Sequence, residues 1–102
     1  VYDRDLYYRV RRKDQEPDYV TASPAARAAR MIFLNKTCFN GLYRVNAKGH
    51  FNVPFGRYEN PLICDAENLR ACQRRLRNVE LIHGTFLGIE DRAGPGDLVY
   101  FD

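Results

Sequence analysis

The 102-residue chain has no run of apolar residues as long as the roughly 18 that a membrane-crossing helix needs. It opens on VYDRDLYYRV, charged and aromatic, which is neither a secretory nor an organellar leader. GxGxxG, GxxxxGK[ST] and GxSxG are all absent, so there is no recognisable loop for a dinucleotide or nucleotide phosphate and no elbow for a nucleophilic serine. Cysteine is scarce and unpatterned. Cys38, Cys64 and Cys72 are odd in number, widely spaced and without a CxxC pair, which fits neither a disulfide framework nor a zinc site. His50 and His83 follow no ligand spacing. No metal is expected, and a reduced, cytoplasmic setting follows. Cys–His pairs can be written on paper but have no local support, and no carboxylate pair stands out for acid–base work. Taken alone, the chain carries no complete catalytic apparatus.

What is present is ordinary in bulk and unusual in arrangement. Hydrophobic residues make up 45% and charged residues 28%, which argues against global disorder and for at most one small domain. The net charge of +3 is unevenly spread: residues 1–35 carry +2, residues 36–77 carry +5 and residues 78–102 carry −4. Thirteen of the 16 basic residues are Arg, the side chain whose planar fork suits phosphates and guanine edges. For any single Arg, a solvated, salt-bridged surface is the better explanation.

The order of elements reads as follows. Residues 2–13 have helical spacing at Leu6, Tyr7 and Val10 and read as the end of a helix that began earlier. Pro17 breaks it. Ser23 is the expected N-cap, with Pro24 at the first position, of a helix reaching Asn35 or Lys36. Its Met31–Leu34 end is expected to be buried. A hairpin follows, with arms at about 42–46 and 50–54 around Lys48–Gly49. Asp65 caps a helix over about 66–77 with Leu69, Cys72 and Leu76 inward and Arg70, Arg74, Arg75 and Arg77 outward. Residues 79–82 read as a short strand. LVYFD at the end reads as a buried, parallel-type strand carrying a carboxylate at its C-terminal end, where open α/β sheets place ligands. The chain thus reads as a piece of a larger α/β protein, cut where a site begins. The absence of an initial Met points the same way.

The segment NKTCFNGLYRVNAKGHFNVPFGRY, residues 35–58, crowds four Asn, three Gly and four Lys/Arg among its aromatic rings. Asn40 can donate and accept at one base edge, and Phe39 beside it can enter a base step. Arg44 can reach a guanine O6/N7 pair. Asn46, Lys48 and His50 surround a tip that could meet phosphates. Arg57 and Tyr58 sit in a loop suited to backbone contact. Each has a plainer reading: a turn Asn beside a core Phe, a surface Arg, a polar hairpin. Together they describe a basic hairpin with amides and rings at its root.

FLNKTCFNGLYRVNAKGHFNVPFGRYENPLICDAENL closely resembles the target-recognition segment of the Dam-type (D12 class) DNA adenine-N6 methyltransferases. The likeness runs from about Ala26 to Leu76 and resumes in GDLVYFD, which is similar to the lead-in to that family's Asp-Pro-Pro-Tyr motif. LYYRVR is similar to the helix before the segment. The resemblance implies an α+β fragment. Residues 1–77 would be a helical DNA-recognition domain with a hairpin at about 42–54. Residues 78–102 would contribute edge strands of a Rossmann-like catalytic domain. It implies double-stranded DNA as partner, S-adenosyl-L-methionine as the parent enzyme's cofactor, and a restriction–modification or solitary methylation role. Phe39 would enter the stack where the adenine leaves, Asn40 would meet the space left behind, and Arg44 would read the guanine 5′ to the target. Leu42, Asn46, Lys48, Pro54, Arg57 and Tyr58 would supply further DNA contacts. Asp102 would be the catalytic carboxylate at the cofactor side, and Phe86 a cofactor-pocket ring, although Thr85 stands where the family element has Asp. The family's Gly-rich cofactor loop and the Pro-Pro-Tyr are missing from these 102 residues. Methyl transfer and cofactor binding by this chain alone are therefore not expected. The alternative is a free-standing basic DNA-binding module without catalysis.

Overall fold

The computed structural model describes residues 2–102. The chain divides into two compact units, one up to Asn68 and one from Leu69 to Asp102.

In the first unit, helix α1 spans Arg4–Arg11. It does not continue an earlier helix: Asp3 caps it, its carboxylate accepting the Leu6 N–H at 2.7 Å. Short 3₁₀ turns at Arg12–Gln15 and Tyr19–Thr21 lead to α2, Pro24–Thr37. The hydroxyl of Ser23 accepts the Ala26 N–H at 3.2 Å and Pro24 stands in the first turn, as the sequence indicates. Of the Met31–Leu34 run only Leu34 is fully buried; Met31 is exposed. The core is small: Tyr7, Leu34, Cys38, Phe51 and Val53, flanked by Tyr8, Val10, Phe33 and Phe55.

The expected pair of regular hairpin strands is not what forms. Among the described residues there is no strand, only two isolated antiparallel bridges, Cys38 with Phe55 and Val45 with Phe51. Between them one arm holds six residues, 39–44, and the other three, 52–54. The surplus of three cannot be laddered, because a ladder needs equal rise on both sides. It is taken up by a turn at Phe39–Gly41, where Asn40 (φ +53°) and Gly41 (φ +59°) are left-handed. Hydrogen bonds close the frame at each end. The Phe39 N–H donates to Pro54 O at 2.9 Å and the Gly56 N–H to Thr37 O at 2.9 Å. Beyond the turn, the Asn52 N–H donates to Arg44 O at 3.0 Å and the Asn46 N–H to His50 O at 2.9 Å.

Two buried polar assemblies join this looped segment to the helices. The Tyr7 hydroxyl donates to Val53 O at 2.7 Å, and Arg11 Nη1 donates to the same oxygen at 3.1 Å. Burial pushes the Tyr7 hydroxyl's pKa well up, so it stays a donor. Arg30, only 7% exposed, donates to Val10 O, Arg11 O and the Tyr19 hydroxyl. It pairs with Asp14 Oδ2 at 2.9 Å, and that same oxygen accepts the Phe51 N–H at 2.7 Å. One guanidinium therefore ties α2 to the end of α1 and, through Asp14, to the looped segment.

The second unit is sparser. Helix α3, Ala66–Arg75, starts at the end of the first unit and runs into the second; at its start Asp65 Oδ1 accepts the Asn68 N–H at 3.1 Å, the predicted cap. Its expected inner stripe is not buried: Leu69, Cys72 and Leu76 are exposed. The expected strands at 79–82 and 98–101 are absent among the described residues, and Leu98 is 95% exposed. The reason is physical: a strand needs a neighbour for its N–H and C=O groups. A 3₁₀ segment spans Phe86–Asp91. The unit is held by an edge-to-face contact of Phe86 and Phe101, ring centroids 6.0 Å apart, and an exposed Arg92–Glu80 pair at 2.7 Å.

Candidate nucleic-acid interface

The turn at Phe39–Gly41 is shaped by its neighbours. The Gly41 N–H donates to Cys38 O at 3.3 Å and the Leu42 N–H to Phe39 O at 3.2 Å, while Asn35 Nδ2 holds Gly41 O at 3.2 Å. Cys38 beneath it is buried, its thiol within 3.3 Å of Leu42 O. Burial pushes that thiol's pKa up, so it is a structural sulfur with no nucleophilic character. With the backbone fixed this way, Phe39 stands 49% exposed and Asn40 exposed next to it. Leu42 and Tyr43 follow, both exposed. A large ring and an amide offered to solvent from a hydrogen-bonded turn cost apolar burial, an arrangement typical of contact surfaces.

Arg44 is the next exposed group. Its Nε donates to Asn52 Oδ1 at 2.7 Å and its Nη2 to Asn52 O at 3.0 Å. Asn52 thus holds the Nε–Nη2 edge of the exposed guanidinium, and Nη1 is not part of that contact, a restraint that a free surface Arg lacks. Asn46 closes the tip. Its Oδ1 accepts both the Lys48 N–H at 2.9 Å and the His50 N–H at 3.0 Å, an Asx-type closure of the tip. Only its –NH₂ is left for an outside partner. Lys48 is exposed at the tip. Pro54 is exposed, and its carbonyl is engaged with Phe39. On the return path Arg57 is left-handed at φ +58°, and it shares a cleft with Tyr2, Phe55, Tyr58, Asn60 and Pro61.

The second unit brings Phe86 and Asp102 to one cavity, of about 370 Å³, whose other walls include Thr85, Ile89, Val99 and Tyr100. Among the described residues no His, Cys, Asp or Glu cluster could hold a metal ion, and no helix is long and apolar enough to cross a membrane.

The family model of D12 class N6 adenine-specific DNA methyltransferases matches residues 2–102. The chain belongs to this family. It is 46% identical to a type II methyltransferase of Methanocaldococcus jannaschii over 99 residues, 97% of this chain and 34% of that protein. A type II methyltransferase of Lactococcus lactis is 40% identical over 101 residues, 97% of this chain and 36% of the relative. A DNA adenine methylase of Serratia marcescens is 35% identical over 98 residues, 96% and 34% respectively. The chain spans about a third of the length of these relatives.

Within the chain the residues that sequence reasoning missed are those that set up the others. Asp14, Arg30 and Asn52 have no motif. Two of them come from turns and helices far along the chain from the groups they hold. The one sequence signal was Arg30 itself, a lone cation in the apolar run AARMIFL.

Proposed function

We propose that residues 1–77 are the DNA target-recognition part of an S-adenosyl-L-methionine-dependent DNA adenine-N6 methyltransferase, and that residues 78–102 begin its catalytic domain. What supports this reading is the surplus turn, which offers Phe39 and Asn40 to solvent beside an Arg44 oriented by Asn52, in a chain of this family. An enzyme that modifies a base takes it out of the stack. Phe39 fills the step that opens and Asn40 meets the orphaned partner. The guanidinium of Arg44 takes a guanine O6/N7 pair. Leu42, Pro54 and Tyr58 line the adjoining bases or sugar, while Lys48, Arg57 and the amide of Asn46 meet the backbone. The site begins G-A, with GATC as the full sequence.

Phe86 and Asp102 fit one end of the cofactor: an aromatic face and a carboxylate share one cavity. When bound, S-adenosyl-L-methionine supplies the methyl group. Asp102 accepts a hydrogen bond from the target amino group and so orients the nitrogen lone pair. The Gly-rich loop and Pro-Pro-Tyr do not occur in these 102 residues, and this chain by itself is expected to transfer no methyl group. Incubation with GATC duplex and labelled cofactor tests this; incorporation above background sinks it.

The recognition reading itself is tested by binding. The chain is expected to prefer GATC duplex over a scrambled one. Arg44→Ala is expected to lose about 1–3 kcal/mol on GATC while changing little on duplexes lacking that guanine. Equal loss on every sequence would reduce Arg44 to a phosphate contact.

A further inference from the structure

Three arginines of the first helix and the turn after it are used by neither the hairpin nor the buried assemblies. Arg4, Arg9 and Arg12 are exposed along α1 and the turn after it. With Asp5 and Tyr8 they line one groove. The spacing places Arg4, Tyr8 and Arg12 on one helical face, with Arg9 alongside. The two ion pairs among the described residues are Arg30–Asp14 and Arg92–Glu80, so none of the three arginines is neutralised by a carboxylate, Asp5 included. The floor of the groove is built. The Arg4 guanidinium lies 5.2 Å and the Arg11 guanidinium 4.7 Å from the centre of the Tyr8 ring, positions that hold a cation by its attraction to the ring face. The groove also has a fixed relation to the looped segment. The Tyr8 hydroxyl accepts the Phe55 N–H at 3.4 Å, and Arg11 reaches Val53 O, two and four residues before Arg57.

We propose that this arginine groove is a second DNA-backbone site, which grips phosphates flanking the recognition sequence on the side of the return arm. Uncompensated guanidinium groups lining a polar groove suit a run of phosphodiesters. Each can fork onto two phosphate oxygens. An acidic peptide would meet the same charge, but the link through Tyr8 to Phe55 makes the groove continuous with the surface assigned to DNA. The proposal rests on the recognition reading above. It adds a grip that carries affinity and no sequence information.

The experiment compares the chain with its R4Q/R9Q/R12Q variant on GATC and scrambled duplexes of about 20 base pairs, over a series of salt concentrations. Gln keeps helix propensity, and an unchanged unfolding midpoint confirms the fold. The variant is expected to bind both duplexes at least tenfold more weakly near 0.1 M salt. Its plot of log affinity against log salt should be shallower by roughly two to three, about 0.9 for each phosphate that is no longer neutralised. The ratio of GATC to scrambled affinity should stay as in the parent. A parent that binds duplex with a slope the variant shares overturns the groove and leaves the recognition reading standing. A parent that binds no duplex overturns both. Retained DNA binding with loss of an acidic-peptide probe assigns the groove to protein and also overturns the proposal. Should the triple variant fail to fold, the single variants R4Q, R9Q and R12Q are each expected to flatten the slope by about one; three unchanged slopes refute the site.

Discussion

Arg30→Ala is expected to destabilise the first unit by about 3–5 kcal/mol, the cost of leaving a buried partner charge uncompensated. Asp14 is nearly as buried as Arg30, its side chain 10% exposed against 6%. Its Oδ1 is buried with no hydrogen-bond partner in the protein, so the carboxylate depends on Arg30 and the Phe51 N–H for all its compensation. The same substitution strips Val10 O, Arg11 O and the Tyr19 hydroxyl of their donor. A core of five buried hydrophobic residues is a thin reserve, since whole domains are stable by only about 5–15 kcal/mol. Loss of far-UV helical signal at room temperature, or a large drop in the urea midpoint, is the expected readout. A change below about 1 kcal/mol would show that the pair is solvated and structurally idle. The double variant R30M/D14L should recover much of the loss, because removing both charges removes the penalty as well.

The second large effect is expected at Gly56. A Cβ there would stand 2.6 Å from Cys38 O and 2.8 Å from Cys38 C, and would also strike the Tyr58 ring. The ring can turn aside. The Cys38 backbone cannot, because Phe39 N–H and Thr37 O are both bonded across to the return arm. Gly56→Ala must therefore push the arms apart at the end of the frame that carries the Phe39–Gly41 turn. A cost of about 1–3 kcal/mol or more in stability is expected, together with a loss of sequence-selective DNA binding larger than the stability change alone produces. Gly88→Ala, where the added carbon meets open space, is the control and should fall within about 0.5 kcal/mol of the parent. If the two variants unfold at the same denaturant concentration, the close approach at Gly56 is not real.

Parts of this architecture were plain in the sequence because they are local. Ser23–Pro24 and Asp65 announce helix starts within three residues of the groups they cap, and both do so in the structure. The polar tip around Lys48–Gly49 is likewise a short-range signal. The arms were misjudged because alternation from Leu42 to Phe55 counts residues along one arm at a time. The offset between arms is a property of the pair, and it hides in the left-handed Asn40 and Gly41. Arg30 with Asp14 was illegible for a related reason: the partners are joined by tertiary packing, and no spacing rule connects them. The strands at 79–82 and 98–101 were read from apolar runs that are real. Such runs record what a segment can pair with, and pairing also needs the partner. Phe86 and Asp102, sixteen residues apart, do come to one cavity. The apolar run ending in a carboxylate pointed to Asp102; only the family resemblance pointed to Phe86.

On the recognition reading proposed above, the unequal arms between the two bridges also bear on how a sequence reader of this kind changes over time. Residues 39–44 are a short loop pinned at both ends, with the helices and core attached outside the pins. Lengthening a pinned loop by a few residues raises its closure cost only slowly. Its side chains can be exchanged without disturbing Tyr7, Leu34 or Val53. Selection for a new target sequence can thus work on this stretch while the scaffold stays as it is. A library confined to Phe39, Asn40, Leu42 and Arg44 is the natural place to look for altered specificity.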